Sequence, residues 1–167
     1  CFNVLFRYVN EDPTIMTIAG SGQVGNSGNG GPALAATFRN PNMTVADNTS
    51  SIYIADTSNN VIRKYQLSTI SLYAGTGIAG STGDGGVATS AKLAEPYGVA
   101  INSSNDLYIT DTSNCVIRAV NSVSGIITKY AGSYTKGFSG DGGLATSAVL
   151  NYPRGLAFDP QNNLYIC

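Results

Sequence analysis

The chain has no histidine and no tryptophan in 167 residues, and only 11% of its residues are charged. Histidine is the commonest general base near neutral pH and the commonest zinc ligand, so its absence removes the usual routes to acid–base and zinc chemistry. The charged share falls far below the roughly 25% of an ordinary globular protein. Nine Lys+Arg stand against ten Asp+Glu, for a net charge of −1, and no basic stripe runs along the chain. Nucleic-acid binders neutralise phosphates with such a stripe, so nucleic acid is not expected as a partner. No segment approaches the ~18 apolar residues of a membrane-spanning helix, so no membrane insertion is expected. The opening CFNVLFRYVN lacks Met and the pattern of a signal peptide, and reads as a mature or trimmed end.

Gly, Ser, Thr and Asn fill the place of the missing charges. Solubility then rests on hydroxyls and amides, a composition that suits an extracellular or cell-surface setting. The chain is long enough for one domain with a sizeable core.

Laying the chain on itself exposes a repeat. The YAG/IAG glycine recurs at Gly20, Gly75 and Gly132, spacings of 55 and 57 residues, and Asp56 recurs 55 residues later as Asp111. The repeats run over about 14–68, 69–125 and 126–167, with residues 1–13 completing a blade. The middle repeat holds four short runs rich in Val, Ile, Leu, Tyr and Thr: Gly98–Ile101, Leu107–Thr110, Val116–Val120 and Thr128–Ala131. NSSND, DTSN and NSVSG separate them, and turns this short make sequential strands antiparallel neighbours. The expectation is an all-β chain of four-stranded meanders stacked as propeller blades, about twelve strands in all. The ATSAKL and ATSAVL segments read as single helical turns.

The pattern GDGGxATSAxLxxPxGVAxxxxxxLYIxDTSNxVIRxV resembles the extended form of the NHL repeat over nearly the whole chain. The resemblance implies a β-propeller, commonly six-bladed, that mostly recognises ligands, proteins or RNA. The family also contains an amidating lyase with zinc on histidine ligands. This chain has no such ligands, so that activity is not carried over.

Repeated polar residues invite structural readings first. Asp84 and Asp141 lie in GDGG loops, where Asn29 stands in the first copy. Calcium wants six to eight oxygens, and one carboxylate among glycines supplies too few. Gly with Asp or Asn instead suits positive-φ positions of a tight turn. Asp56 and Asp111 open the DTSN turns and are expected to accept that turn's own backbone N–H groups. Arg63 and Arg118, seven residues on, are placed to cap those carboxylates. Tyr53, Tyr108, Tyr165, Tyr73 and Tyr130 read as blade-to-blade packing. No catalytic residue, cofactor or metal is assigned.

Individuality lies in the long connections, where Gln23, Arg39, Glu95, Lys136, Phe138 and Arg154 do not repeat. Loops on one face of a rigid scaffold carry recognition, so these are the candidate binding residues, for a protein or glycan ligand. Sequons at Asn42, Asn48 and Asn102 are candidate glycosylation sites.

Leu5–Asn10 aligns with Val116–Asn121, so the sequence opens at a third strand and closes, at Cys167, in a second strand. One added residue would bring the length to three repeats of 56, which keeps a head-to-tail array in phase. The expectation is homo-association through blade completion, as a six-bladed ring or an open array, with Cys1 and Cys167 as the candidate disulfide; the alternative is a fragment of a longer array, its terminal cysteines marking only the cut. The functional expectation is a non-enzymatic recognition or assembly module. The alternative is a six-bladed-propeller hydrolase or lyase with a metal on the axis.

Overall fold

The computed structural model describes residues 5–9 and 11–167. The strands are β1 (Phe6–Val9), β2 (Ile15–Ala19), β3 (Gly31–Pro32), β4 (Pro41–Ala46), β5 (Ile52–Asp56), β6 (Val61–Gln66) and β7 (Thr69–Ala74). They continue as β8 (Pro96–Ile101), β9 (Leu107–Asp111), β10 (Val116–Val120), β11 (Ile127–Ala131), β12 (Leu156–Phe158) and β13 (Leu164–Ile166). Strands β4–β7 and β8–β11 form two antiparallel meanders in sequence order, while β1–β2 and β12–β13 form two-stranded sheets. The twelve expected strands are all present, and the two-residue β3 is additional. Each sheet straddles the sequence repeat, since the repeats above begin on a fourth strand.

Period-two alternation explains why the sheets stack. On β5, Ile52 and Ile54 pack toward the β1–β2 sheet, while Tyr53 and Ala55 join the core shared with the second blade. On β9, Leu107 and Ile109 face the first blade, and Tyr108 faces β12 through Leu156 and Phe158. Both faces of each complete blade are therefore buried, and burying one such Ile or Leu is worth about 1.5–3 kcal/mol. Of the tyrosines expected between blades, Tyr53 joins the core shared with the second blade and Tyr108 meets Phe158 of the next sheet at 4.8 Å. Tyr73 and Tyr130 pair edge-on with Tyr53 and Tyr108 inside their own sheets, at 4.6 and 4.8 Å, and Tyr165 is exposed.

The glycine-rich connections have a structural task as well. Gly31 pairs with Ile70 on the outer strand of the first blade, and Val87 bridges to Ile126 on the second. Each connection thus covers an outer sheet edge that would otherwise present unpaired N–H and C=O groups. The ATS segments form single 3-10 turns at Ala88–Ser90 and Ala145–Ser147, with Ala33–Ala35 as the first-copy equivalent.

One expectation needs correction here. In the GDGG and GNGG loops the left-handed residues are the glycines, at φ +100° and +79° for Gly28 and Gly30 and +103° and +82° for Gly83 and Gly85. Asn29, Asp84 and Asp141 are not among the positive-φ residues. The backbone closes from Gly86 N–H to Gly83 C=O, a turn whose third position takes the positive φ, and that position belongs to glycine. Asp84 is thus free to use its carboxylate elsewhere.

Candidate functional site

A four-stranded meander sends its 2–3 turns and its 4–1 connections to one end, and its 1–2 and 3–4 hairpins to the other. The two ends differ in chemistry. The hairpin end, residues 11–14, 47–51, 67–68, 102–106, 121–126 and 159–163, carries five of the ten acids and no Lys or Arg. The connection end holds Arg39, Lys92, Lys136 and Arg154, none of them in a salt bridge among the described residues.

At the connection end the DTSN turn works as a hub. Asp56 Oδ1 accepts the Arg39 N–H at 2.8 Å and Asp111 Oδ1 accepts the Ala94 N–H at 2.7 Å, each 17 residues upstream. Their second oxygens accept the side-chain amides of Asn59 and Asn114. The carboxylates therefore do not cap their own turns, as the sequence suggested, but hold the start of the blade's first strand. Pairing of Pro41 with Asp56, and of Pro96 with Asp111, sets the upstream amide against the carboxylate. Thr57 and Thr112 then donate across to the Pro96 and Pro153 carbonyls of the following blade, at 2.7 and 2.8 Å.

Arg118 ties this hub to the GDGG loop. Its guanidinium sits 2.8 Å from Asp84 and 3.7 Å from Asp111, and it also donates to the Lys92 carbonyl at 2.8 Å. Asp84 in turn accepts the Tyr134 hydroxyl of the next connection at 2.6 Å. Burial pushes the Asp111 pKa up to about 6, against the Ala94 amide, Asn114 and Arg118, which favour the charged form. Burial likewise raises Asp56 and lowers Arg63. These groups are consumed in holding the blades together.

The non-repeating residues fall differently. Arg39, Glu95, Lys136, Phe138 and Arg154 are all exposed at the connection end, as is Gln23. Arg154 stacks 5.0 Å from the Tyr97 ring centre, and Lys136 lies 4.3 Å from that of Tyr152. Phe138 is 87% exposed. Sequence reasoning missed Tyr97 and Tyr152 as partners, because their pairing depends on the stacking of blades. A signal was nevertheless present: Asn42, Tyr97 and Arg154 occupy one repeat position with three unrelated side chains. Residues Asn40, Glu95 and Tyr152, each just before a proline, hold left-handed φ of 47–50°.

Of the sequons, Asn48 is exposed in the first hairpin turn. Asn102 uses its side-chain oxygen to accept the Ser104 and Asp106 amides, and Asn42 donates its amide to Asn40 and Thr57. The Cys1–Cys167 pairing involves Cys1, which lies outside the described residues; Cys167 is exposed and Cys115 buried. Among the described residues, no three His, Cys, Asp or Glu gather closely enough to hold a metal ion.

Neither a protein-family model nor a curated protein matches the chain. Solved structures do. A Bacteroides thetaiotaomicron protein of unknown function superposes with a TM-score of 0.77 at 19% identity, over 98% of this chain and 39% of its own. An auxiliary nutrient-binding protein from Bacteroides ovatus gives 0.60 at 23% identity, over 74% of this chain and 33% of its own. A catalytically inactive virginiamycin B lyase from Staphylococcus aureus, with quinupristin, gives 0.57 at 14% identity, over 98% of this chain and 42% of its own. The chain thus matches a portion of larger, six-bladed propeller chains and spans about two fifths or less of their length. The fold is that of propeller blades.

Proposed function

We propose that the chain is a run of NHL-type propeller blades serving as a non-enzymatic extracellular recognition module, with the connection end as its binding face. One observation carries this reading: the carboxylates are committed to structure or stand alone. Asp56, Asp84 and Asp111 hold the blades, Asp47, Asp106 and Asp159 accept hairpin amides, and Glu95 takes the Ser113 hydroxyl. What is left exposed and unrepeated on the connection end, beside Gln23 and Glu95, is aromatic and cationic, the chemistry of binding. The competing reading, a hydrolase or lyase with an axial metal, is tested by elemental analysis of purified protein. Substoichiometric metal supports recognition, and one tightly held metal per chain sinks it.

We also propose that copies associate through their two-stranded sheets. A cavity of about 570 Å³ lies between β1–β2 and the first blade, lined by Tyr8, Met16, Ile18, Leu34, Ile52 and Tyr65. At the two later interfaces a second-strand tyrosine, Tyr53 or Tyr108, packs against Tyr73 or Tyr130. At the front interface Ile18 holds the Tyr73 position, and the cavity lies beside it. Tyr165 of β13 is 58% exposed and occupies the matching second-strand position. A second copy's β13, added beside β1, would bring that ring to the cavity. Sedimentation velocity should show concentration-dependent association that Tyr165→Ser weakens. A monomer at all concentrations overturns the proposal.

A further inference from the structure

Building on the connection end as the binding face, we propose that the strip Lys136–Tyr152–Arg154–Tyr97 binds an acidic saccharide, a sugar chain whose rings carry carboxylates.

A net charge of −1 conceals two unlike ends: the hairpin end carries acids alone, while at the connection end four cations, beside the exposed acids Glu95 and Asp141, lack a carboxylate partner among the described residues. Buried Arg63 and Arg118 show what this fold does with an arginine needed for structure: it surrounds it with carbonyls and carboxylates. Among the described residues, Arg154 and Lys136 receive none of this. Each lies on an aromatic face instead, 5.0 Å from Tyr97 and 4.3 Å from Tyr152. Stacking restrains a guanidinium while leaving its planar N–H edge unspent, the edge that matches a carboxylate with two parallel hydrogen bonds.

Aromatic surface supplies the second half. Phe138 is 87% exposed, Tyr152 46% and Tyr134 38%, all on this end and all in the third connection. A sugar ring presents a C–H face to such rings while its hydroxyls stay wet. A ligand with alternating apolar faces and carboxylates satisfies both features together, whereas a neutral glycan leaves the cations unused and a simple anion leaves the rings unused.

Titration calorimetry with galacturonate oligomers at low salt tests the proposal. Saturable binding is expected, weakened about tenfold or more by Arg154→Met, as for loss of a charge-assisted hydrogen-bonded pair. Lys136→Met should weaken it less, and Lys64→Met, away from this end, should leave it unchanged. Equal binding of polyglutamate would reduce the effect to charge and overturn the saccharide assignment. Equal loss in Lys64→Met, or no binding at all, would overturn it too. Saturable binding of neutral glucose oligomers that ignores Arg154→Met would sink this inference while leaving the recognition module standing; failure of that broader reading shows separately, in the metal analysis.

Discussion

The two complete blades carry the same arginine in the same register, yet solve its burial differently. Arg118 gives Nε to Asp84 at 3.0 Å, with Asp111 close behind. Arg63 has Asn29 at the Asp84 position, and its buried Nε has no hydrogen-bond partner among the described residues. It compensates with the Asn26 side chain at 2.9 Å, the Ser27 carbonyl at 2.7 Å and the Phe38 ring face at 5.4 Å, while Asp56 lies 4.0 Å away. A fold that repeats its framework can thus lose one carboxylate and survive, provided neighbouring acceptors take over. The second blade holds a charge network; the first holds a desolvated cation fed largely by neutral oxygens.

The largest expected effect follows from removing the arginine itself. Arg118→Met strands the buried Asp111 carboxylate, and breaking a buried pair in this way costs about 3–5 kcal/mol. Arg63→Met should cost less, since its one carboxylate lies farther, at 4.0 Å, whereas Arg118 also holds Asp84 at 2.8 Å. Urea denaturation of both variants measures the gap, and equal losses would erase the distinction between the blades. Asp84→Asn then converts the second blade into a copy of the first, at about 1–2 kcal/mol, discounted because the Asp84 side chain is 33% exposed. The reverse exchange, Asn29→Asp, should stabilise by up to about 1 kcal/mol by giving Arg63 Nε an acceptor.

A pH profile sharpens the same contrast. With its pKa raised to about 6 in the folded state, Asp111 makes the native protein bind more protons than the unfolded chain between about pH 4 and pH 6. Its contribution is therefore complete below pH 4, falls as the pH rises through 6, and is flat above. Asp111→Asn should remove most of that slope. Asp56→Asn should alter the profile in the same direction, because burial raises its pKa as well. A wild-type stability that rises between pH 4 and 6 would contradict the assignment.

Strand order and blade stacking were legible because period-two alternation and the repeat both act locally. The hub was only half legible. That Asp111 and Arg118 face each other follows from their places on adjacent strands, but the Ala94 amide reaches Asp111 only through the irregular pairing between Pro96 and Val99. Asp84 escaped because its loop reads as a turn, and its partners come from elements 34 and 50 residues away. The Arg154–Tyr97 stack depends on how neighbouring blades pack, which no single repeat encodes.

The smallest effect concerns Cys115, which occupies the position of Asn60 in the second DTSN turn. Both residues end the 3-10 turn in the left-handed region, at φ +55°. Asn60 belongs there by conformation and by partner, because its side-chain oxygen accepts the Glu95 N–H at 2.9 Å. The thiol of Cys115 is a weak acceptor, and the matching donor is the N–H of Tyr152, the left-handed residue beneath Lys136. Cys115→Asn should therefore relieve the left-handed strain and supply that acceptor. The expected gain is about 0.5–1 kcal/mol, less whatever packing the buried thiol provides. The readout that separates the two contributions is amide exchange at Tyr152. Slower exchange with higher stability shows that the acceptor was missing, whereas higher stability with unchanged exchange assigns the gain to backbone conformation alone. A loss of stability would mean that packing of the thiol outweighs both, and that the second blade has adapted its core to the cysteine.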